Sequence, residues 1–161
     1  MRITIAVCTI GLLLATGTAM PEGGGPVTIA IIVNKANIVD MLSAKQLKQI
    51  FSGEKARWPD GQKIQTLAAG SGPPDYEGAI QFLFGMNETE YRKYRLHASF
   101  TGNLEQIPRE PGLAQVVVNL VAFAPGAIGF VRADLVNPSV KVIKIDGFAP
   151  GAEGYPLAGV R

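Results

Sequence analysis

Four residues of this 161-residue chain have the type and setting to hold an anion. Three form the step Gly70-Ser71-Gly72 in "TLAAGSGPPDYEGAIQF", and the fourth is Arg109 in "QIPREPG". Glycines let main-chain N–H groups approach an oxyanion, Ser71 adds a hydroxyl donor, and the helix expected to follow points its positive end at the step. Two features oppose that reading. Pro73 and Pro74 carry no N–H, so two donors of the helix start are missing, and Asp75 and Glu77 already place negative charge there. An ordinary strand-to-helix turn uses the same letters, and both readings stay open on the residues alone. Arg109 sits in a proline-bracketed loop just before a helix signal, where a guanidinium can fork onto phosphate or carboxylate; a solvated loop arginine is the alternative.

The other candidate chemistries fall away. His97 is the only histidine and lies late in an amphipathic helical pattern, which predicts a solvent-facing side chain. Ser71 lacks the G-x-S-x-G context of a nucleophile elbow and has no histidine placed to take its proton. Asp75 and Glu77, at i and i+2, do not face each other on a helix, so paired-carboxylate hydrolysis is unsupported. The expectation is a protein without catalytic residues, metal or cofactor. Trp58, beside Pro59, is expected to be a packed anchor whose indole N–H finds a partner at the turn.

The elements that must position these residues follow from the apolar pattern. Val27 to Val33, "VTIAIIV", is a β-branched run of the kind covered on both faces. Ser43 and Gln46 form a capping box for a helix buried through Leu47, Ile50 and Phe51 and closed by Gly53. "RWPDG" is a turn, and Lys63 to Leu67 a short strand. A helix starting at Pro73 or Pro74 carries Ile80, Leu83 and Phe84 and ends at Gly85. Asn87 with Glu90 caps another. Pro111 is expected to open a fourth, with a core stripe of Val116, Val117, Leu120, Val121 and Phe123. "APGAIGFV" turns into a strand, and Val140 to Ile145 reads as a last one. The order β-α-β-α-α-α-β-β predicts an α/β fold: an open, mostly parallel sheet with helices on both faces. Ligands of such sheets collect outside the carboxyl ends of strands, which is where Gly70 falls.

Arg2, the apolar run Ile3 to Ala15 and the small residues Thr16-Gly17-Thr18-Ala19 read as a signal peptide over residues 1–19. The apolar run is short of the ~20 residues of a bilayer span, so no stable membrane span is expected after cleavage. The only cysteine, Cys8, would leave with the signal, and no disulfide would remain. Residues 20–26, "MPEGGGP", read as a flexible leader, and residues 27–161 as a single domain. The formal net charge of +2, without a basic cluster, argues against a nucleic-acid partner. A periplasmic or secreted protein is expected.

Several segments together resemble phosphate ABC-transporter substrate-binding proteins and their small relatives. They are Val33-Asn34-Lys35, Leu42-Ser43 through Leu47, Ile50-Phe51-Ser52-Gly53 through Trp58-Pro59-Asp60-Gly61, and Pro125 to Val131. The similarity spans about residues 27 to 131. It implies one lobe of a type II periplasmic binding protein, capturing phosphate or a similar oxyanion for uptake through an ABC permease. In that family a Gly-Ser-Gly-Thr step after a strand contributes donors to phosphate, and Gly70, Ser71 and Gly72 match it. The departures are Pro73 in place of the threonine, and Leu67, Ala68 or Ala69 where an arginine typically precedes the step. A lobe that has lost its ligand site and docks a partner or a second copy of itself is the alternative role.

Overall fold

The computed structural model describes residues 27–69, 76–103 and 107–158. Its centre is β1 (Ile29–Asn34), buried along its whole length, as an unbroken β-branched run covered on both faces must be. Three more strands complete the main sheet: β3 (Gln65–Ala68), β4 (Ala127–Arg132) and β5 (Val140–Val142), in the order β3-β4-β1-β5. A separate parallel pair joins β2 (Met41–Leu42) to β6 (Lys144–Ile145).

The α/β class and the open sheet stand, but the sheet is mixed rather than mostly parallel. β3 runs parallel to β4, whereas β4 and β5 both run antiparallel to β1. A single helical crossover would bring β3 back parallel to β1. Here the chain reverses once more between α1 and β3, through an antiparallel ribbon bridged at Arg57 and Lys63. β3 therefore enters opposite to β1, and β4 fits between them. The expected last strand is likewise two: Val140–Val142 stays in the main sheet, and after Ile143 the chain leaves it to pair with β2.

Helices cover both faces. On one side lies α1 (Ala44–Phe51), whose capping box forms as its sequence requires: Ser43 Oγ accepts from the Gln46 N–H at 3.2 Å and Gln46 Oε1 from the Ser43 N–H at 2.9 Å. The Phe51 ring stands 5.7 Å from that of Phe130 on β4, and Tyr76, just before α2 (Glu77–Phe84), stands at 5.7 Å on the same ring. Gly85 ends α2 with φ of 68°, a left-handed conformation that costs glycine little. α3 (Glu88–Thr101) opens with the reciprocal box of Asn87 and Glu90.

On the other face α4 (Ala114–Phe123) packs on β4 and β1. Its buried side chains are Val117, Val118 and Val121; of the expected stripe, Val116, Leu120 and Phe123 point outward. The sheet decides this. A Cβ on Gly129 would sit 2.9 Å from Val117 Cγ1, so the bare glycine lets the helix approach on its short valines. Leu120 and Phe123 are too large for that gap. Asn34, at the end of β1, fixes the helix from below. Its Nδ2 donates to the Val121 and Ala122 carbonyls at 2.9 and 2.7 Å, and its Oδ1 accepts from the Ala36 N–H. Those carbonyls belong to the last turn of α4, which has no helical partner for them.

Candidate functional site

The site is built on β3, which the preceding ribbon holds in place. Trp58 is buried and its indole N–H donates to the Gly126 carbonyl at 3.0 Å, so its partner is the turn into β4 rather than its own turn. The same carbonyl accepts from the Gln65 N–H at 3.1 Å. Contact between the two segments is close enough that a Cβ on Gly126 would lie 2.2 Å from the Lys63 carbonyl oxygen.

One side of β3 pairs with β4, and the other is the edge of the sheet. The segment before α4 lies along that edge. The Arg109 N–H donates to the Thr66 carbonyl at 2.9 Å, and the Ala68 N–H to the Arg109 carbonyl at 3.0 Å, which sets Arg109 opposite Leu67. Arg109 is exposed. A distant arginine is thus set beside the carboxyl half of the strand that precedes Gly70 in sequence. Gly70, Ser71 and Gly72 themselves lie outside the described residues, as do Pro73 to Asp75.

An open groove of 560 Å³ runs beside the first half of β3. Lys63 lines it from the ribbon, Thr66 from the strand, Arg95 and Ser99 from α3, and Ile107, Pro108 and Arg109 from the covering segment. A smaller cleft of 340 Å³ shares Lys63, Ile64 and Thr66 with it and adds Lys55 and Asn103. Three cationic side chains thus border one groove with two hydroxyls and an apolar wall.

Next to Arg109 in sequence, Glu110 turns inward and pairs with Arg95, its carboxylate accepting from Nη1. With only 8% of the Glu110 side chain exposed, this pair is far less screened than a surface one. Behind it the Arg95 guanidinium stands 6.0 Å from the centre of the Tyr91 ring. Burial, with the Glu110 charge in support, pushes the Tyr91 phenol well above its ordinary range, so it stays neutral throughout the pH range of a folded protein. Among the described residues, Tyr91 Oη and Arg95 Nε have no hydrogen-bond partner.

Of the expected site residues, Arg109 is therefore at the edge of β3. Lys63, Thr66, Arg95 and Ser99 were not singled out by the sequence; only their charge or hydroxyl groups are visible there, amid many others of the same type. Leu67 and Ala68, which stand where the resemblance would put an arginine, are buried, and so is Ala69. His97 is exposed on α3 as its pattern predicts. Among the described residues no group of His, Cys, Asp and Glu has metal-binding geometry, and no helix is long and apolar enough to cross a membrane.

No family model matches the sequence. Among solved structures the chain is similar to phosphate-transport binding proteins. An ABC-type phosphate transport receptor from Vibrio cholerae superimposes with a TM-score of 0.64 at 23% identity, over 83% of this chain and 54% of that one. A phosphate ABC transporter substrate-binding protein from Clostridium perfringens, solved with bound phosphate, gives 0.59 at 22%, over 76% and 46%. PstS from Borrelia burgdorferi gives 0.59 at 15%, over 84% and 56%. The chain therefore shares its fold with about half the length of these proteins, as expected of a relative of one lobe.

Proposed function

We propose that this chain is an exported solute-binding protein that captures phosphate or a similar oxyanion at the carboxyl end of β3. Gly70 and Gly72 offer main-chain N–H groups, Ser71 its hydroxyl, and Arg109 a charged clamp. The supporting observation is the placement of Arg109: two hydrogen bonds fasten its backbone beside the strand that runs into Gly70. A backbone already fastened loses less freedom on binding than a mobile loop does. No covalent step and no cofactor are involved. Residues 1–19 would direct the chain to the periplasm or the medium, and an ABC permease is the partner that the uptake role implies.

The edge of β3 is open to water, which competes for both partners of a charge-assisted bond. Affinity is accordingly expected to be modest, and it falls as salt rises. Calorimetry with phosphate and with sulfate provides the test. The wild type should bind at least one of them, and Ser71→Ala should weaken that binding about tenfold, the scale of one lost hydrogen bond to a charged ligand. Absence of heat with either anion removes the proposal.

A second reading has its own observation. The outer face of α4 carries Leu113, Val116, Leu120 and Phe123 at helical spacing, with Leu113 72% and Phe123 87% exposed. On that view the lobe is an interaction module that pairs with a second copy or docks another chain. Light scattering that finds a strict monomer at high concentration counts against self-pairing.

A further inference from the structure

We infer that the exposed stripe of α4 is a self-recognition surface, on which a second copy of this chain packs antiparallel about a two-fold axis. This rests on the interaction-module reading above and commits it to one partner and one register.

Three observations carry it. First, spacing: Leu113, Val116, Leu120 and Phe123 stand at intervals of three, four and three residues, a pattern that reads the same from either end. An antiparallel copy therefore sets Leu113 against the partner's Phe123 and Val116 against the partner's Leu120. The same pairs recur on the other side of the axis, as an isologous contact requires. The relief of the stripe has that symmetry too. Its end residues protrude, at 72% and 87% exposure, and its middle ones are more than half covered, at 36% and 38%. Second, charge: from Pro111 to Val131 the chain has no charged residue. Two copies of α4 thus meet without a like charge facing itself, whereas a helix that lies on a membrane carries Lys or Arg on its polar side. The polar flank of α4 holds Gln115 and Asn119 instead, joined by a hydrogen bond of 3.1 Å. Third, area: with these exposures the four side chains present on the order of 400 Å² of apolar surface, the size of patch that marks an interaction site on a monomer. Two copies cover about twice that, short of the ~1,200 Å² at which specific interfaces begin. The flanks must join the contact, and a reversible dimer is expected.

The experiment is sedimentation velocity over a concentration series on the wild type, Leu113→Glu, Phe123→Lys and the double variant. Both positions are exposed, and a carboxylate at the start and an ammonium at the end of α4 suit the helix dipole. The replacements should therefore leave the thermal midpoint within a few degrees of the wild type. The wild type should form a reversible dimer, and each single replacement should weaken it at least about tenfold. In the double variant the antiparallel register brings the new carboxylate of each copy to the new ammonium of the other, so much of the affinity should return. A parallel pair would set like charges together and stay apart. A strict monomer at every concentration overturns the inference and leaves the interaction-module reading with another chain alone. A dimer that survives both single replacements places the contact elsewhere, which overturns the inference and spares that reading. A double variant no tighter than the singles overturns the antiparallel register. Flotation on phosphatidylglycerol vesicles that is lost in Phe123→Lys overturns the inference in favour of a lipid surface. None of these outcomes touches the oxyanion proposal, which calorimetry decides separately.

Discussion

The middle of the sheet and its β3 edge are built on opposite terms. In β1 and β4 every strand residue is buried and apolar except the last of each: Arg132 is half-buried, and Asn34 is buried with both ends of its amide engaged. At the edge, Lys63, Arg95 and Arg109 share a groove open to water, and the backbone is covered only by the short segment before α4. The centre is therefore intolerant of added or removed atoms, and the edge is tolerant of them. The groove and Arg109 lie on the tolerant side, held in register by the intolerant one.

Substitutions can break that contrast or sharpen it. The largest effect is expected at Gly126, where the ribbon meets the turn into β4. Gly126→Ala forces its Cβ to 2.2 Å from a backbone oxygen that cannot rotate away, so one segment must shift. A loss of about 3 kcal/mol or more in urea unfolding is expected; a loss below ~1 kcal/mol would show that the junction is soft. Asn34→Ala comes next. It removes the donors to the Val121 and Ala122 carbonyls and should cost about 2 kcal/mol, mostly from buried acceptors left unpaired. At the edge, Lys63→Gln should move stability by less than ~0.5 kcal/mol, and a larger change would mean that the groove helps to hold the fold.

The smallest effect lies away from both regions. Lys141 Nζ contacts Asp40 Oδ1 at 2.7 Å. That hydrogen bond and the neighbouring charge hold the Asp40 carboxyl below its ordinary range. A depressed carboxylate pKa stabilises the folded state above the unfolded value, near 4, and the contribution disappears as pH falls through the lower folded value. Lys141→Met should return Asp40 to the ordinary range in an NMR titration. The part of the stability difference owed to Asp40 should shrink below about pH 4 and vanish below the lowered folded value, while the bond from Lys141 Nζ to the Asn37 carbonyl is lost at every pH. Asp40 is exposed, so the difference at neutral pH should be small.

Much of the local structure was legible in the residues. The boxes at Ser43 and Asn87 form as written because a cap needs only residues three positions apart. The glycine stop at Gly85 is equally local, and the β-branched run of β1 is buried as its composition demands. β2 was not legible, since two residues show no period, and neither was the outward turn of Leu120 and Phe123. In "VVVNLVAF" nearly every position is apolar, so the pattern alone cannot choose a face; Gly129 on a different element chooses it. The candidate site divides in the same way. Arg109 could be picked out by its proline-bracketed loop, but nothing local marks Lys63, Arg95 or Ser99 as its neighbours.

By itself, then, the sequence determined the longer strands, the capped helix starts at Ser43 and Asn87, the stop at Gly85 and the α/β class. Each depends on dihedral preferences, capping donors or a short hydrophobic period, all settled within a few residues. Only the tertiary structure decided the mixed strand order, the buried face of α4 and the meeting of β3 with Arg109. Those depend on which distant surfaces fit closely and where main-chain hydrogen bonds remain to be paired across the chain.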